Sequence, residues 1–178
     1  LALLDTISSR DGFSSLNLAL RRQQITTRSF DRSTGALSEH YQRSALSPSL
    51  GLVLRPWGPE LALYANYVQG LSQGDTVSDS SASNYLQVFA PYKTVQRELG
   101  LKWQREGLLH SLAWFEIEKP SLIATGPASR PTYVDGGLKR VSGLEWSSTG
   151  ELRPGWRLLA GATLARGRLP HTERGAAD

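Results

Sequence analysis

The feature that most constrains the fold of this chain is a two-residue alternation of side-chain character along extended segments. Residues 94–104 show it most clearly: alternate positions carry Thr, Gln, Glu, Gly, Lys and Gln, and the positions between them carry Val, Arg, Leu, Leu and Trp. A β-strand places successive side chains on opposite faces, so this pattern predicts strands whose two faces meet different surroundings. Helical periodicity is almost absent, and the chain is therefore predicted to be all-β.

Eight strands are predicted from this alternation and from the turn residues between the alternating segments. Their ranges are about 1–9, 14–30, 40–55, 60–70, 91–104, 108–119, 132–147 and 155–166. Several are longer than the roughly five or six residues usual in soluble sheets. Strands of about nine to eleven or more residues suit a tilted crossing of a bilayer.

The predicted connections alternate between short and long. The short ones are 10–13, 55–60, 104–107 and 148–154; the long ones are 31–39, 71–90 and 120–131, before a polar tail over 167–178. This alternation predicts an antiparallel, up-and-down transmembrane β-barrel segment, with tight turns at one rim and large loops at the other. A disordered linker over the serine-rich 71–90 stretch, a passive porin-like barrel and a soluble, lipocalin-like β module remain open alternatives.

Aromatic residues collect near the predicted strand ends. Trp57, Trp103, Trp146 and Trp156 lie near short turns, and Tyr41, Tyr67, Tyr92 and Tyr133 lie beside long loops. Amphipathic rings at both membrane–water boundaries are expected for a transmembrane barrel. The tryptophans, with Tyr41, Tyr67 and Tyr133, are therefore predicted to form a membrane-interface girdle.

Composition excludes several other functions. The 178 residues contain no cysteine, so disulfides, thiolate metal sites and thiol catalysis are ruled out, and the absence of methionine suggests that Leu1 lies inside a longer protein. The net charge is +4, but the basic residues are scattered and nucleic acid is not an expected partner. There is no run of 18 apolar residues, so no transmembrane helix is expected, and this segment shows no positively charged start followed by an apolar stretch of the signal-peptide kind.

No catalytic or metal-ligating constellation is found, and the chain is not expected to be an enzyme. His40, His110 and His171 lack the spacing of a metal site. Glu116 and Glu118 share one strand face, which makes an acid–base pair geometrically possible, although a solvated cluster is the preferred interpretation.

Several segments resemble one known family. The stretch "SALSPSLGLVLRPWGPELALYANYVQGLSQG" resembles the barrel of TonB-dependent ferric-siderophore receptors, in which a strand leads through a short periplasmic turn into a strand of the "LSLYASYSEGL" type. "APYKTVQRELGLKWQ", "HSLAWFEIEKPS" and "VDGGLKRVSGLEWSSTGELRPGWRLLAGATL" are similar to later barrel segments, in the same order. Trp57 and Pro59 depart from the polar turn common in that family, and "RVSG" leaves Arg140 without the usual basic residue two positions later.

The resemblance implies a 22-stranded barrel filled by an N-terminal plug, located in the outer membrane of a Gram-negative bacterium. This chain would supply about eight strands, without the plug, the TonB box, the earlier strands or the closing strands, and the complete protein would be a monomer. Its partners would be a ferric siderophore, TonB and outer-membrane lipid. Iron would stay inside the siderophore, with no cofactor and no protein metal ligand. Tyr85, Gln87, Phe89 and Tyr92 are predicted to contact the ligand, because they interrupt a polar loop with groups that stack and donate hydrogen bonds.

Overall fold

The fold is a single antiparallel sheet of eight strands in sequence order. A computed structural model describes residues 1–171, apart from the side chains of Ser29, Ser38, Glu39 and His171. The strands are β1 (Ala2–Ser8), β2 (Ser14–Phe30), β3 (Leu37–Leu54), β4 (Leu61–Ser72), β5 (Tyr92–Arg105), β6 (Leu108–Thr125), β7 (Thr132–Arg153) and β8 (Trp156–His171). Each strand pairs with the next along the chain, so the all-β, up-and-down prediction is confirmed.

The strand register aligns apolar residues across the whole sheet. Directly opposed residues form one continuous row through all eight strands: Ile7, Leu16, Leu52, Ala65, Leu99, Trp114, Leu144 and Leu164. The next row, on the opposite face, consists of Thr6, Asn17, Gly51, Asn66, Glu98, Phe115, Gly143 and Ala165. We call the faces that carry these two rows the apolar face and the polar face. A slip of one residue in any strand would exchange its faces, so the alternation fixes the register.

No second layer covers the apolar face within the described residues. Leu99 and Leu144, which have a paired strand on each side, are 56% and 48% exposed, and Leu164 on the edge strand β8 is 75% exposed. The few fully buried apolar residues are mostly near residues 73–91, not on this face. A contiguous apolar surface of this kind requires an apolar solvent or a partner, which agrees with strands that face lipid.

The polar face is less uniformly polar than the sequence suggested. Leu109, Phe115 and Ile117 lie on it, and aromatic rings cover glycines on the neighbouring strand. A Cβ atom at Gly100 would lie 2.6 Å from the Tyr64 ring, and one at Gly143 would lie 2.9 Å from the Phe115 ring. These glycines allow large side chains to lie flat against the sheet.

Strands β6, β7 and β8 extend beyond their predicted ends, which corrects the predicted connections. Pro120 lies in the predicted connection 120–131, but in the structure it pairs with Leu138 beside a register shift at Ser121/Ile123, where the ladder tolerates a residue without an N–H. The connection between β6 and β7 is therefore 126–131, and the turn between β7 and β8 is only 154–155. The predicted polar tail is strand up to His171, and residues 172–178 lie outside the described part.

The connections separate into two rims. The short-turn rim comprises 9–13, 55–60, 106–107 and 154–155, and each of these contains a glycine with φ between +71° and +92°, as tight turns require. The long-loop rim comprises 31–36, 73–91 and 126–131. Only 73–91 is long, so the predicted contrast between the rims rests mainly on this one loop. Among residues 1–171, no helix is long and apolar enough to cross a membrane.

Candidate ligand-binding site

Residues 73–91, between β4 and β5, fold into a compact cap at the long-loop rim. Thr76 and Val88 form an antiparallel bridge, and the Val77 N–H donates to the Gln87 carbonyl oxygen at 3.0 Å. Val77 and Ala82 are buried, with 2% and 8% exposure. Because β4 and β5 pair directly below this segment, it is a loop of one sheet and not a linker between domains.

Asn84 fastens this cap to the start of β7. Its Nδ2 group donates to the Tyr133 carbonyl oxygen at 2.8 Å and to Gln87 Oε1 at 2.7 Å, and its Oδ1 atom accepts from the Tyr133 N–H at 3.0 Å. One amide side chain therefore imitates the paired hydrogen bonds of a neighbouring strand. The Ser83 N–H adds a bond to the Pro131 carbonyl oxygen at 2.8 Å.

Asp79 supplies a second link between the cap and Tyr133. Hydrogen bonds from the Ser81 hydroxyl and the Ser81 N–H hold the pKa of Asp79 below its usual range. The carboxylate is therefore charged at neutral pH, and its Oδ2 atom accepts from the Tyr133 hydroxyl at 3.3 Å. The cap and the start of β7 are joined by groups that the sequence does not mark as partners, since they become neighbours only through the sheet register.

We expect Asn84→Ala to loosen the cap without unfolding the sheet. The substitution removes both sides of the Asn84–Tyr133 pairing and leaves backbone groups of Tyr133 without these partners, at a local cost of about 1–2 kcal/mol. Hydrogen exchange should accelerate in 75–89 and stay unchanged in β2 and β3. Ser80→Ala, an exposed change in the same loop, is the control. Equal exchange in the two variants would contradict the role assigned to Asn84.

The predicted ligand contacts occupy different levels of the cap. Tyr85 is 48% exposed and Gln87 is also exposed, whereas Phe89 is half-buried. Tyr92 is only 4% exposed at the base of the cap, where β5 begins. The structure therefore brings Tyr85 and Gln87 to the surface of one loop and places Tyr92 beneath them.

Most, but not all, of the predicted girdle residues lie on the apolar face. By alternation and register, Tyr67, Trp103, Trp146 and Trp156 share the face of Leu99, and Trp57 is 72% exposed in the turn 55–60. Trp146 lies within β7, well before the turn that was expected to follow it. Tyr41 differs: it lies on the polar face, 4% exposed, and its hydroxyl accepts from the Gly74 N–H at 3.4 Å. The girdle prediction for Tyr41 is therefore corrected, because its ring packs under the cap.

A concave region, separate from the cap, lies on the polar face. It has a volume of about 490 Å³, and its lining includes Tyr64, Glu98, Lys102 and Glu145. The Tyr64 hydroxyl donates to Glu98 Oε1 at 2.6 Å, and Lys102 Nζ lies 5.5 Å from the centre of the Tyr64 ring. Residues 1–171 contain no cluster of His, Cys, Asp or Glu side chains that could hold a metal ion.

Glu116 and Glu118 form ion pairs. Arg97 Nη1 lies 2.9 Å from Glu116 Oε1 and 3.0 Å from Glu118 Oε2, while Arg140 Nη2 lies 2.5 Å from Glu118 Oε1. The position two residues after Arg140 is Ser142, so it adds no basic side chain to this cluster. The carboxylates are engaged with arginines, which supports the interpretation of a charged cluster over that of an acid–base pair.

The whole sheet corresponds to one family of proteins. Residues 1–176 match the family described as TonB dependent receptor-like, beta-barrel. The chain belongs to this family. The membership confirms the resemblance found in the sequence.

Individual TonB-dependent receptors are similar to this chain in sequence and in structure. The ferrichrome receptor FcuA of Yersinia enterocolitica is 33% identical over 92% of this chain. The ferric preacinetobactin receptor BauA of Acinetobacter baumannii is 34% identical over 97% of the chain, with a TM-score of 0.79. The pyoverdine outer membrane receptor FpvA of Pseudomonas aeruginosa is 26% identical over 94% of the chain, with a TM-score of 0.72.

These relatives are much longer than the present chain. It spans 22% of the Yersinia receptor, 25% of the Acinetobacter receptor and 24% of the Pseudomonas receptor. All three are named as receptors and none as an enzyme. The eight-stranded sheet is thus equivalent to one contiguous portion of a larger TonB-dependent receptor barrel.

Proposed function

We propose that this chain forms part of the wall and one outer loop of an outer-membrane receptor that imports ferric siderophores with energy delivered by TonB. The observation that carries the proposal is the 33% identity to a ferrichrome receptor across 92% of the chain. The complete receptor would have a barrel of 22 strands around an N-terminal plug. The short-turn rim would face the periplasm and the long-loop rim the outside.

Within this receptor, the cap would hold the ferric chelate at the entrance. Tyr85 offers an exposed ring on which an organic ligand can stack, and Gln87 offers an amide that both donates and accepts hydrogen bonds. The attachment of the cap through Asn84 keeps these groups at the rim. Binding of iron would be indirect, since the chelator supplies the iron ligands.

The polar face would line the interior of the barrel. The Tyr64–Glu98 bond and the nearby Lys102 supply a charged, hydrogen-bonding wall, which suits a wet interior or the surface of a plug. The apolar face would meet lipid. With these assignments, the polar side chains meet water or the plug, and the apolar side chains meet lipid.

Removal of the Tyr85 ring tests this proposal. We expect Tyr85→Ala to weaken the binding of ferrichrome or ferric preacinetobactin to the full-length receptor by about tenfold. This is the loss of binding free energy expected when one aromatic stacking contact, and the apolar area that it buries, is removed. Equilibrium binding to the purified receptor measures the change. Phe13→Ala is the matched control, because it removes an exposed ring (45%) from the short-turn rim.

The energy requirement is tested in cells. Iron uptake should stop when TonB is absent, while surface binding of the ferric siderophore continues. Uptake that continues without TonB would contradict the proposed function, as would a Phe13→Ala variant that loses as much affinity as Tyr85→Ala. Failure of both ferric probes to bind the wild-type receptor would also count against it.

A further inference from the structure

Two lysines are directly opposed on the polar face, towards the long-loop rim. Lys119 of β6 pairs with Lys139 of β7, and both are exposed. Each lies an odd number of residues from the apolar row on its strand, so both side chains are on the polar face. Cβ atoms of directly opposed residues are about 4.5–5.5 Å apart, and like charges in such positions destabilise a sheet. The pair therefore costs stability unless an anion meets the two ammonium groups.

No carboxylate of the described residues neutralises this pair. The ion pairs of the described part of the chain include neither lysine. Glu118, adjacent to Lys119, is on the opposite face and pairs with Arg140. Asp135 lies four residues from Lys139 along β7, which corresponds to about 13 Å at the rise of a strand. The two positive charges are therefore free to meet an anion from outside this chain.

The lysine pair lies just below the cap. Glu118, the residue before Lys119, is opposite Val95, close to the start of β5. Tyr92, the first residue of β5, is on the same polar face as the lysines and is buried at the base of the cap. A ligand that passes the cap on its way into the barrel interior would therefore meet the lysines next.

Apolar side chains adjoin the pair on its short-turn side. Ile117 is directly opposite Val141, and Phe115 is directly opposite Gly143. All of them are on the polar face, where Val141 is 39% exposed and the Phe115 ring covers Gly143. We call Phe115, Ile117 and Val141 the apolar patch. In a wet interior, a ligand with apolar surface would gain free energy by covering it.

Two ammonium groups above an apolar patch match one chemistry among ferric chelates. A catecholate is an aromatic ring with two anionic oxygens on one edge, and three catecholates leave a complex of Fe³⁺ triply negative. Three hydroxamates leave the complex neutral and supply no aromatic ring. An ammonium group is attracted both to anionic oxygens and to the face of an aromatic ring. The combination therefore favours an anionic, aromatic chelate.

We propose that Lys119, Lys139 and the apolar patch form a subsite for ferric chelates of the catecholate class on the barrel wall below the cap. The ammonium groups donate charge-assisted hydrogen bonds to the anionic oxygens, and the rings lie against Ile117 and Val141. A bound anion removes the repulsion between the lysines, so the subsite selects against a neutral chelate. This inference rests on the proposed function, in which the polar face lines the barrel interior.

The test compares equilibrium binding of ferric enterobactin, a tris-catecholate, and of ferrichrome, a neutral tris-hydroxamate, to the purified full-length receptor. Lys119→Gln combined with Lys139→Gln should weaken ferric enterobactin binding about tenfold at low salt, where exposed charges are least screened, and leave ferrichrome binding unchanged. High salt should shrink the difference from the wild type. Lys93→Gln combined with Arg166→Gln removes the same charge from exposed positions on the apolar face and should change neither affinity.

Several results would overturn the catecholate subsite. Equal weakening by the two double variants would reduce the effect to net charge, and equal loss of both chelates from the Lys119/Lys139 variant would show that their charge is not distinguished. A lower urea midpoint of unfolding for the ligand-free Lys119/Lys139 variant would assign the lysines to carboxylates of the plug, since removal of a like-charge pair alone should not destabilise the receptor.

The same measurements separate this inference from the proposed function. A wild type that binds ferrichrome or ferric preacinetobactin but not ferric enterobactin would overturn the catecholate subsite and leave the proposed function standing. A wild type that binds none of the three would contradict the proposed function itself.

Discussion

Arginine in place of Leu112 is expected to destabilise the full-length receptor in a bilayer by about 2–4 kcal/mol. Leu112 lies on the apolar face, opposite Leu101 on one side and Trp146 on the other, and is 43% exposed in the sheet. With lipid as its solvent, a guanidinium group at this position would have no counter-charge and little water. The urea midpoint of unfolding from phospholipid vesicles measures the loss.

The adjacent position provides a matched control. Ser111 lies on the polar face, directly opposite Lys102 and Ser147, and lines the concavity that also contains Glu98 and Glu145. Ser111→Arg introduces the same charge one residue away, where carboxylates and an aqueous interior can receive it. It should therefore cost much less than Leu112→Arg. Equal losses in the two variants, or a larger loss for Ser111→Arg, would reverse the assignment of the faces.

Successive residues of a strand, such as Ser111 and Leu112, lie on opposite faces with different surroundings. This alternation allows the strands and the assignment of their faces to be predicted from the sequence. Alternation over 94–104 assigns every residue of β5 to a face, and one strand then constrains its neighbours, because a slip would place charge in the apolar row. The uninterrupted row from Ile7 to Leu164 is the result. The family resemblance rests on the same segments, which explains why it covers almost the whole chain.

The ends of the strands were less predictable, for a physical reason. Pro120 and the residues around Gly150 have the composition of a turn, yet both lie in strand beside register irregularities. A bulge lets a ladder continue through residues that would otherwise end it. Local composition does not reveal a bulge, since its position depends on the partner strand.

The attachment of the cap was also hidden in the sequence. Asn84 reads as one more polar residue in a serine-rich loop, and its partner Tyr133 lies 49 residues away. Tyr41 was assigned to the membrane interface because it is aromatic and near a loop, whereas its hydroxyl meets the base of the cap. In both cases the decisive neighbour comes from a distant segment, which a single sequence does not specify.

Gly74→Ala is expected to open the base of the cap and to reduce siderophore binding more than any loop side-chain truncation. A Cβ atom at this position would lie 2.2 Å from the Phe89 carbonyl oxygen and 2.3 Å from that of Ala90. Both contacts are to backbone, so no side-chain rotation relieves them, and the two arms of the loop must separate. We expect a local loss of about 3 kcal/mol, at the upper end of the usual cost of overpacking.

Separation of these arms would disturb several contacts at once. The Gly74 N–H would leave the Tyr41 hydroxyl, and the bridge between Thr76 and Val88 would lose its alignment. Tyr85 and Gln87 would then no longer be presented together, so the affinity for ferrichrome or ferric preacinetobactin should fall by more than the tenfold expected for Tyr85→Ala. Hydrogen exchange of 73–91 should rise in parallel, while β6 and β7 keep their protection.

Gly70, in β4 just before the cap, provides the control for this change. A Cβ atom at Gly70 would meet only the Thr94 Cβ atom, at 4.0 Å, which is ordinary van der Waals contact. Gly70→Ala should therefore leave both loop protection and siderophore affinity close to those of the wild type. If Gly74→Ala opens the loop without loss of affinity, the cap is not the ligand-binding element, and the chelate must be held by the polar face or by other loops of the receptor. If both alanine variants lose affinity equally, the effect comes from loss of a glycine in this part of the chain and not from the close approach at Gly74.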